Sequence, residues 1–225
     1  QTAAGLDDYL QRGIPVLVDA AQGVQHRVVN VANLDCDFLA FSGHKMYAET
    51  GIGVLYGKEQ WLEDLAPVRF GGGMIGSVTL DRTTFSEPPF KFEAGTPNIA
   101  GALSLQAAVE YIDQIGLDRI AAHESSVLRY ARQQLAGIDG ITEYGGSGDC
   151  CGAVSFNLDG AAAYDVSALL DKMGIAVRSG THCAEPVMQH YGVSGSVRAS
   201  FALYNTKDDV DALVAGLHRV RTVLA

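Results

Sequence analysis

Long apolar runs are scarce in this sequence of 225 residues. The longest stretches, Ile14–Ala21 and Asp211–Ala225, are interrupted by charge or fall short of the roughly 20 apolar residues that a membrane helix needs. No charged segment followed by an apolar one opens the sequence, so a secretory leader is not expected. A membrane protein is therefore not predicted, and a cytoplasmic protein is the simplest interpretation.

Positive charge is also scarce, with 16 Lys and Arg against 26 Asp and Glu and a formal net charge of −10. The few basic residues are spread along the chain and form no block. A protein that binds a phosphate backbone neutralises it with clustered Lys and Arg side chains. Nucleic acid is therefore not an expected partner.

Cysteine and histidine are too few and too scattered for a disulfide framework or a metal site. The spacing of the four cysteines matches neither a set of bridges nor a pair of zinc knuckles, which indicates reduced thiols. The histidines outside the motifs described below show no ligand spacing. The cysteines are Cys36, Cys150, Cys151 and Cys183, and the histidines are His26, His123, His190 and His218. No metal is expected.

The sequence does contain enough apolar residues, 48%, to build a substantial core. Short apolar runs bounded by Gly, Asp or Ser at Ile14–Ala21, Cys36–Lys45 and Gly51–Gly57 predict strands covered on both faces, as in α/β folds. Between Arg69 and Asn98 there is no sustained period, and Gly and Pro are frequent. This segment is predicted to be a long loop of irregular turns, and such loops are usually functional.

The second half has a different pattern. Apolar residues recur at helical spacing over Ala100–Gly116 and again over Leu117–Leu135, and a domain boundary is placed in this region, between residues 113 and 114. Short strands and two helices follow, which predicts a small α+β domain over residues 114–225. The strands are expected at 141–144, 153–158, 175–179 and 197–204, and the helices at 165–173 and 207–224.

A lysine and an acid lie at the ends of two predicted strands. Asp19 ends the first, and Lys45 comes just after the second, where ligands collect in α/β sheets. A lysine amine is a useful nucleophile when it is desolvated or bound to a carbonyl group, and a carboxylate can keep a pyridinium nitrogen protonated. Pyridoxal phosphate requires this pairing, and Ser42 and His44 are candidates for its phosphate. Taken singly, such residues are more often a turn cap and a solvated lysine.

A cysteine and two arginines form the second constellation, in Arg178–Pro186 (RSGTHCAEP) and Val197–Thr206. The thiolate is the reactive form of cysteine, so Cys183 needs positive neighbours, which Arg178 and His182 can provide. Arg198 on a predicted strand can bind a substrate carboxylate through its planar fork, and Arg178 and His182 are predicted with it as substrate-binding residues. Taken alone, Cys183 would more often be a small buried residue, and Arg198 a structural one.

The segment from Asp19 to Gly57 (DAAQGVQHRVVNVANLDCDFLAFSGHKMYAETGIGVLYG) resembles the cofactor segment of class V aminotransferase-like enzymes, and most closely that of SUF-type cysteine desulfurases, of PLP fold type I. The resemblance implies a cofactor, pyridoxal 5′-phosphate. It also implies the following roles: Asp19 at the pyridine nitrogen, Gln22 at the ring hydroxyl, Ser42 and His44 at the phosphate, and Lys45 as the covalent attachment point.

Two further segments resemble the same family. The short RxGxHCA loop implies that Cys183 forms the persulfide, and the RAS segment implies that Arg198 binds the substrate carboxylate. Thr181 departs from the pattern, because the family frequently has a second histidine there. In Phe92–Asn98 (FEAGTPN), the resemblance implies that Thr96 reaches the phosphate of a neighbouring subunit. The alternative for that segment is a turn in which Pro97 ends an extended stretch.

The resemblance as a whole implies an α/β fold: the C-terminal part of a large PLP-binding domain with a mixed, mostly parallel sheet over residues 1–113, followed by a small C-terminal α+β domain. It implies a homodimer that converts L-cysteine to L-alanine and passes sulfur to an acceptor protein for iron–sulfur cluster assembly. Enzymes of this family are about twice as long. Alternatives are a selenocysteine lyase, a cysteine sulfinate desulfinase, or a catalytically silent binding or oligomerisation module.

Overall fold

A computed structural model describes residues 7–145 and 152–224. Contacts between Cα atoms divide the chain into two compact units, residues 1–117 and 118–225. The division falls at the start of a helix, whereas the sequence places the boundary after residue 113. Cys150 and Cys151 lie outside the described residues.

The first unit contains a small mixed sheet with short helices around it. Its three strands lie in the order β1-β2-β3, with β1 parallel to β2 and β2 antiparallel to β3. The elements in chain order are α1 (Asp7–Gln11), β1 (Leu17–Asp19), α2 (Val31–Leu34), β2 (Phe38–Ser42), a 3₁₀ turn (Gly43–Lys45), β3 (Gly53–Gly57), α3 (Glu59–Asp64), β4 (Ile75–Val78), β5 (Thr83–Phe85), a second 3₁₀ turn (Phe90–Phe92) and α4 (Ile99–Ile115).

The strands of this sheet are shorter and less covered than the apolar runs predict. Leu17 in β1 is 58% exposed and Leu55 in β3 is 59% exposed, while the buried cluster beside the sheet is built on Ala20, Cys36 and Leu39. An apolar run shows that a strand tolerates burial on both faces. The burial itself depends on which other segments pack there, and within the described residues those faces are open.

The segment predicted as a loop contains a hairpin. β4 and β5 pair antiparallel, and their register shifts between Ile75 and Ser77. The Thr84 hydroxyl accepts a hydrogen bond from the Ser77 backbone N–H at 3.0 Å. The two strands have four and three residues and are interrupted by that irregularity. Too few alternating positions remain for a strand pattern to be recognised in the sequence.

A buried carboxylate ties β1, β2 and α3 together. Asp37 is 5% exposed and accepts hydrogen bonds from the Val16 N–H at 2.8 Å and from Trp61 Nε1 at 2.8 Å, and Lys58 Nζ lies 3.4 Å away. Burial by itself raises the pKa of Asp37, but the hydrogen bonds from Val16 and Trp61 and the contact with Lys58 outweigh it, so the net pKa is lowered. Asp37 is therefore a charged structural anchor.

Asp37→Ala is expected to lower the free energy of unfolding by about 3 kcal/mol, because the Val16 and Trp61 donors and the Lys58 charge lose their buried acceptor. The stabilisation from Asp37 is present above pH 4 or so and is lost as the pH falls towards the lowered folded-state pKa. Urea unfolding followed by circular dichroism at neutral and acidic pH measures both effects. Asp81→Ala, at an exposed carboxylate after β4, is the control and should change stability by less than about 0.5 kcal/mol. Equal stability losses in the two variants would contradict the anchor role.

The second unit is a helix-covered antiparallel sheet with the strand order β6-β7-β9-β8. Val154, Phe156 and Leu158 alternate along β7 and are buried in the main core, with apolar residues of the long helices. The elements are α5 (Leu117–Leu135), β6 (Ile141–Tyr144), β7 (Ala153–Leu158), α6 (Ala163–Asp171), β8 (Arg178–Gly180), α7 (Glu185–Tyr191), β9 (Ser196–Ser200) and α8 (Lys207–Leu224).

Two strands of this unit are shorter than predicted. β8 begins at Arg178 rather than at Ile175, and β9 ends at Ser200 rather than at Tyr204. Beyond Ser200 the chain turns, with the Ala202 N–H donating to Asn205 Oδ1 at 2.9 Å. Among the described residues, no helix is both long enough and apolar enough to cross a bilayer.

Candidate functional site

In the first unit, the predicted cofactor residues lie at one edge of the sheet. β1 and β2 run parallel with Asp19 paired to Ala40, so the carboxyl ends of both strands reach the same side. Asp19 is the last residue of β1 and is exposed, and its Oδ1 accepts a hydrogen bond from the Ala21 N–H at 2.9 Å. Its second carboxylate oxygen has no hydrogen-bond partner among the described residues. A ligand can therefore use it.

Lys45 ends the 3₁₀ turn that directly follows β2. Its side chain is exposed, as is that of His44, while Ser42 is half-buried at the end of the strand. Within the part of the chain that the structure describes, none of these three side chains makes a hydrogen bond or an ion pair with another residue. An amine, an imidazole and a hydroxyl are thus grouped in four consecutive residues and are free to bind a ligand.

The backbone of this turn is fixed by close packing. The Gly43 N–H donates to the Ile52 carbonyl at 2.9 Å, and a Cβ atom on Gly43 would lie 2.7 Å from Ile52 Cγ2. Met46, directly after the lysine, is buried. Tyr47 has a φ of 72°, a left-handed conformation that a bulky aromatic residue rarely adopts. The lysine side chain is therefore free, but it is attached to a constrained backbone.

Helix α4 holds the loop that follows the lysine turn. The Ser104 hydroxyl accepts a hydrogen bond from the Glu49 N–H at 2.8 Å, and Asn98 Nδ2 donates to the Gly51 carbonyl at 3.2 Å. Asn98 also caps α4, because its Oδ1 accepts from the Gly101 N–H at 2.9 Å. The sequence reasoning missed both side chains. An Asn just before a helical pattern is a known N-cap signal, but nothing local shows its second contact.

Gly43→Ala is expected to displace the lysine turn and to destabilise the protein by about 1–3 kcal/mol, because the added methyl group overlaps Ile52. The bound fraction of pyridoxal phosphate, read from its visible absorbance, should fall in parallel. Gly72→Ala is the matched control, since a Cβ there meets no atom within 4 Å. Full stability and full cofactor binding in Gly43→Ala would show that the turn tolerates movement.

Gln22 lies in the turn after β1 and is oriented by a second glutamine. Its Oε1 accepts a hydrogen bond from Gln25 Nε2 at 3.2 Å. Gln25 is only 4% exposed, and its own Oε1 is buried with no hydrogen-bond partner among the described residues. With Oε1 occupied in this way, the Gln22 amide presents its N–H groups as donors. Gln25 was not predicted, because a glutamine three residues after another has no distinctive local pattern.

These side chains fit pyridoxal phosphate by the chemistry of the donor set. Lys45 supplies an unpartnered amine for the aldehyde, Asp19 supplies an anionic oxygen for a ring nitrogen, and Gln22 supplies donors for a ring oxygen. Ser42 and His44 supply neutral or positive donors suited to a phosphate. Thr96 lies in the same unit, exposed, two residues before the Asn98 cap.

In the second unit, the structure brings the other predicted residues together. Arg178 in β8 pairs directly with Arg198 in β9, and Arg178 Nη2 lies 3.5 Å from Cys183 Sγ. Cys183 is exposed. A thiolate in this place would lie beside a guanidinium, the kind of environment in which cysteine is reactive.

The Arg178–Arg198 pair places two positive charges opposite each other on adjacent strands. Like charges directly opposite each other on adjacent strands repel, so the arrangement by itself is unfavourable. Burial and the charge of Arg178 lower the pKa of Arg198, while Cys183 acts to raise it. The Arg198 Nε is buried and has no hydrogen-bond partner among the described residues. A bound carboxylate would relieve both costs at once.

His182 points away from solvent in this loop. Its Nε2 lies 3.0 Å from both the carbonyl oxygen and the hydroxyl of Ser196, and its Nδ1 is buried with no partner in the described ranges. Ser196 is fully buried in β9. No group of three His, Cys, Asp or Glu residues suited to a metal ion occurs in residues 7–145 and 152–224.

Comparison with known proteins relates most of the chain to one family. A profile of the family "Aminotransferase class-V" matches residues 5–213. Among curated proteins, the cysteine desulfurases of Salmonella choleraesuis strain SC-B67 and Salmonella typhimurium strain LT2 are each 51% identical over 215 residues. The matched region is 95% of this chain and 53% of each relative, so the chain spans about half the length of the curated relatives it matches.

Solved structures give the same picture for the fold. The cysteine desulfurase CsdA (S-sulfonic acid) from Escherichia coli superposes with a TM-score of 0.94 at 41% identity, over 99% of this chain and 55% of that chain. The apo cysteine desulfurase from Thermococcus onnurineus NA1 gives a TM-score of 0.91 at 43% identity, over 95% of this chain and 54% of that chain. The predicted α/β class is confirmed.

Proposed function

Since this chain belongs to the class V aminotransferase family, we propose that the protein carrying it is a pyridoxal-phosphate-dependent cysteine desulfurase, which converts L-cysteine to L-alanine and retains the sulfur as a persulfide on Cys183. One observation carries the proposal: an exposed cysteine lies 3.5 Å from Arg178, which is paired with Arg198 in an arrangement that favours an anion. The identity of 51% to named cysteine desulfurases supports it.

Six residues of the first unit are assigned to the cofactor. When bound, pyridoxal phosphate withdraws electrons from the substrate and weakens the bonds around its α carbon. Lys45 would hold the cofactor covalently and, once displaced by substrate, would move protons at the substrate α carbon. Asp19 would keep the ring nitrogen protonated, and Gln22 would donate to the ring oxygen. The phosphate donors are assigned to Ser42 and His44, and in a dimer to Thr96 of the neighbouring subunit.

The second unit supplies the sulfur chemistry. Arg198 would bind the substrate carboxylate with its planar fork, for which its buried Nε is available. Cys183, as a thiolate beside Arg178, would attack the substrate sulfur, so that a sulfur–sulfur bond forms while the carbon–sulfur bond breaks. The bonding electrons go to the carbon, which is then protonated to give alanine. Arg178 has the geometry to stabilise the thiolate.

We also propose the domain assignment, the oligomeric state, the sulfur acceptor and the cellular location. We assign the first unit to the large cofactor-binding domain and the second to the small α+β domain. A homodimer is proposed, supported by exposed apolar side chains around the β4–β5 hairpin, where Val68 is 92%, Phe70 72% and Leu80 105% exposed. A separate acceptor protein would take the persulfide sulfur for iron–sulfur cluster assembly. A cytoplasmic location fits a thiol that must stay reduced.

Product analysis on the whole protein tests this function. The holoenzyme is incubated with L-cysteine and a thiol reductant, and alanine and sulfide are measured together. Equal amounts of the two products are expected. Selenocysteine and cysteine sulfinate are assayed in parallel, because single sequences encode such small substrate differences poorly. Turnover confined to selenocysteine or to the sulfinate would reassign the substrate, and no turnover with any of the three would favour a silent binding module.

A further inference from the structure

The backbone around Cys183 has an unfavourable conformation that needs an external support. His182 has a φ of 56° and Cys183 a φ of 59°, so two consecutive residues with side chains are left-handed, and Gly180 before them has a φ of 116°. Left-handed residues other than glycine occur singly as a rule, and clusters of them persist where the surroundings impose them. The turn has one local bond, from the Ala184 N–H to the Thr181 carbonyl at 2.9 Å.

The support is the contact between His182 and β9. The imidazole Nε2 lies 3.0 Å from the carbonyl oxygen and 3.0 Å from the hydroxyl of Ser196, which is fully buried. Ser196 is also the residue that pairs with Gly180 across the sheet. The side chain of His182 therefore ties the turn to the β9 residue that lies opposite Gly180, the last residue of β8 before the loop.

The chemistry of this contact defines the state of the ring. A backbone carbonyl can only accept a hydrogen bond, so Nε2 must carry the proton. A second proton on Nδ1 would place a positive charge on a buried nitrogen that has no partner among the described residues. Burial and Arg198 lower the pKa of His182, the Ser196 bond raises it, and Arg178 lowers it further, with a net lowering. The ring is thus a neutral donor at pH 7.

We infer that His182 is a positioning residue whose Nε2–H, bound to Ser196, holds Cys183 in its left-handed conformation with the thiol beside Arg178. The sequence predicts His182 as a positive neighbour of Cys183 and a substrate-binding residue, whereas this geometry makes its ring a neutral donor to the protein itself. The importance of the role for turnover rests on the proposed function, in which Cys183 accepts the sulfur. The role of His182 in holding the backbone of Cys183 does not depend on the proposed function.

Two variants of similar size separate the hydrogen bond from packing. His182→Leu fills the space without a donor, and His182→Gln carries an amide nitrogen where Nε2 was. Amide hydrogen exchange is measured on the whole protein without substrate. In His182→Leu, residues 180–185 should exchange about tenfold faster, the effect of losing one hydrogen bond, while β7 and β9 stay within about twofold. His182→Gln should restore slow exchange, and His190→Ala, at an exposed histidine of α7, should leave it unchanged.

The rate of sulfide release is measured on the same variants as the amide hydrogen exchange. If Cys183 accepts sulfur, His182→Leu should lower kcat for sulfide release by about tenfold at an unchanged KM for cysteine, with recovery in His182→Gln. Unchanged exchange in residues 180–185 of His182→Leu would overturn the inference, as would an equal rise across β7 and β9. His182→Ala replaces the leucine variant if that variant does not fold. Absence of sulfide release by the parent protein would overturn the proposed function and leave the exchange result standing.

Discussion

Replacing Lys45 with alanine is expected to abolish covalent attachment of pyridoxal phosphate and to lower sulfide release from L-cysteine by about three orders of magnitude. The lysine is assigned both the attachment and the proton transfers, and a positioned acid–base group alone contributes about 10²–10⁴ in rate. Its side chain is exposed and makes no hydrogen bond or ion pair with the described residues. The protein should therefore fold normally.

Borohydride reduction followed by peptide mass analysis measures the attachment. The parent protein should carry the reduced cofactor on the peptide containing Lys45, and Lys45→Ala should carry none. Lys45→Arg keeps the positive charge without a reactive amine and should behave like the alanine variant. Lys172→Ala, at an exposed lysine following α6, is the control and should retain both attachment and turnover. Covalent cofactor on another lysine of Lys45→Ala would show that the assignment is wrong.

Cys183→Ser is expected to stop sulfide release, by about a thousandfold or more, while cofactor binding stays intact. Serine keeps the size of the side chain, but its hydroxyl remains protonated at neutral pH and cannot accept sulfur as a persulfide. Because none of the residues assigned to the cofactor is changed in this variant, the visible absorbance of the bound cofactor should match that of the parent protein.

The buried cysteine supplies the control for this variant. Cys36 is fully buried, and burial raises the pKa of its thiol, so it is an inert residue. Cys36→Ala should retain turnover, with a stability loss of about 1 kcal/mol from the lost packing. Thiol alkylation of the folded parent protein should modify Cys183 before Cys36. Normal sulfide production by Cys183→Ser would end the assignment of this residue as the sulfur acceptor.

Helices and chemical motifs were the features most accessible from the sequence. The bounds predicted for the helices at Leu117–Leu135 and Lys207–Leu224 are confirmed, and α4 begins and ends within one residue of Ala100–Gly116. Gly116, with a φ of 91°, separates α4 from α5, and a glycine adopts that conformation without strain. The candidate residues around Lys45 and Cys183 follow from the chemistry of their side chains together with the resemblance to class V enzymes, and they remain proposals.

Strand lengths and side-chain partners were not accessible in the same way. The segment that contains the β4–β5 hairpin is predicted to be a loop, and β1, β8 and β9 are shorter than their apolar runs. The opposition of Arg178 and Arg198, the orientation of Gln22 by Gln25, and the contact of His182 with Ser196 had no sequence signal.

The sequence by itself determined the long helices α4, α5 and α8, the α/β class and which side chains are capable of cofactor and sulfur chemistry. Those features depend on a helical repeat of 3.6 residues, on backbone preferences and on intrinsic reactivity, all of which are local. The tertiary structure alone decided that Lys45 lies free on a fixed backbone and that His182 is bound within the protein. Contacts of that kind join residues 14 positions apart in the case of His182 and Ser196, and strand register and packing set them.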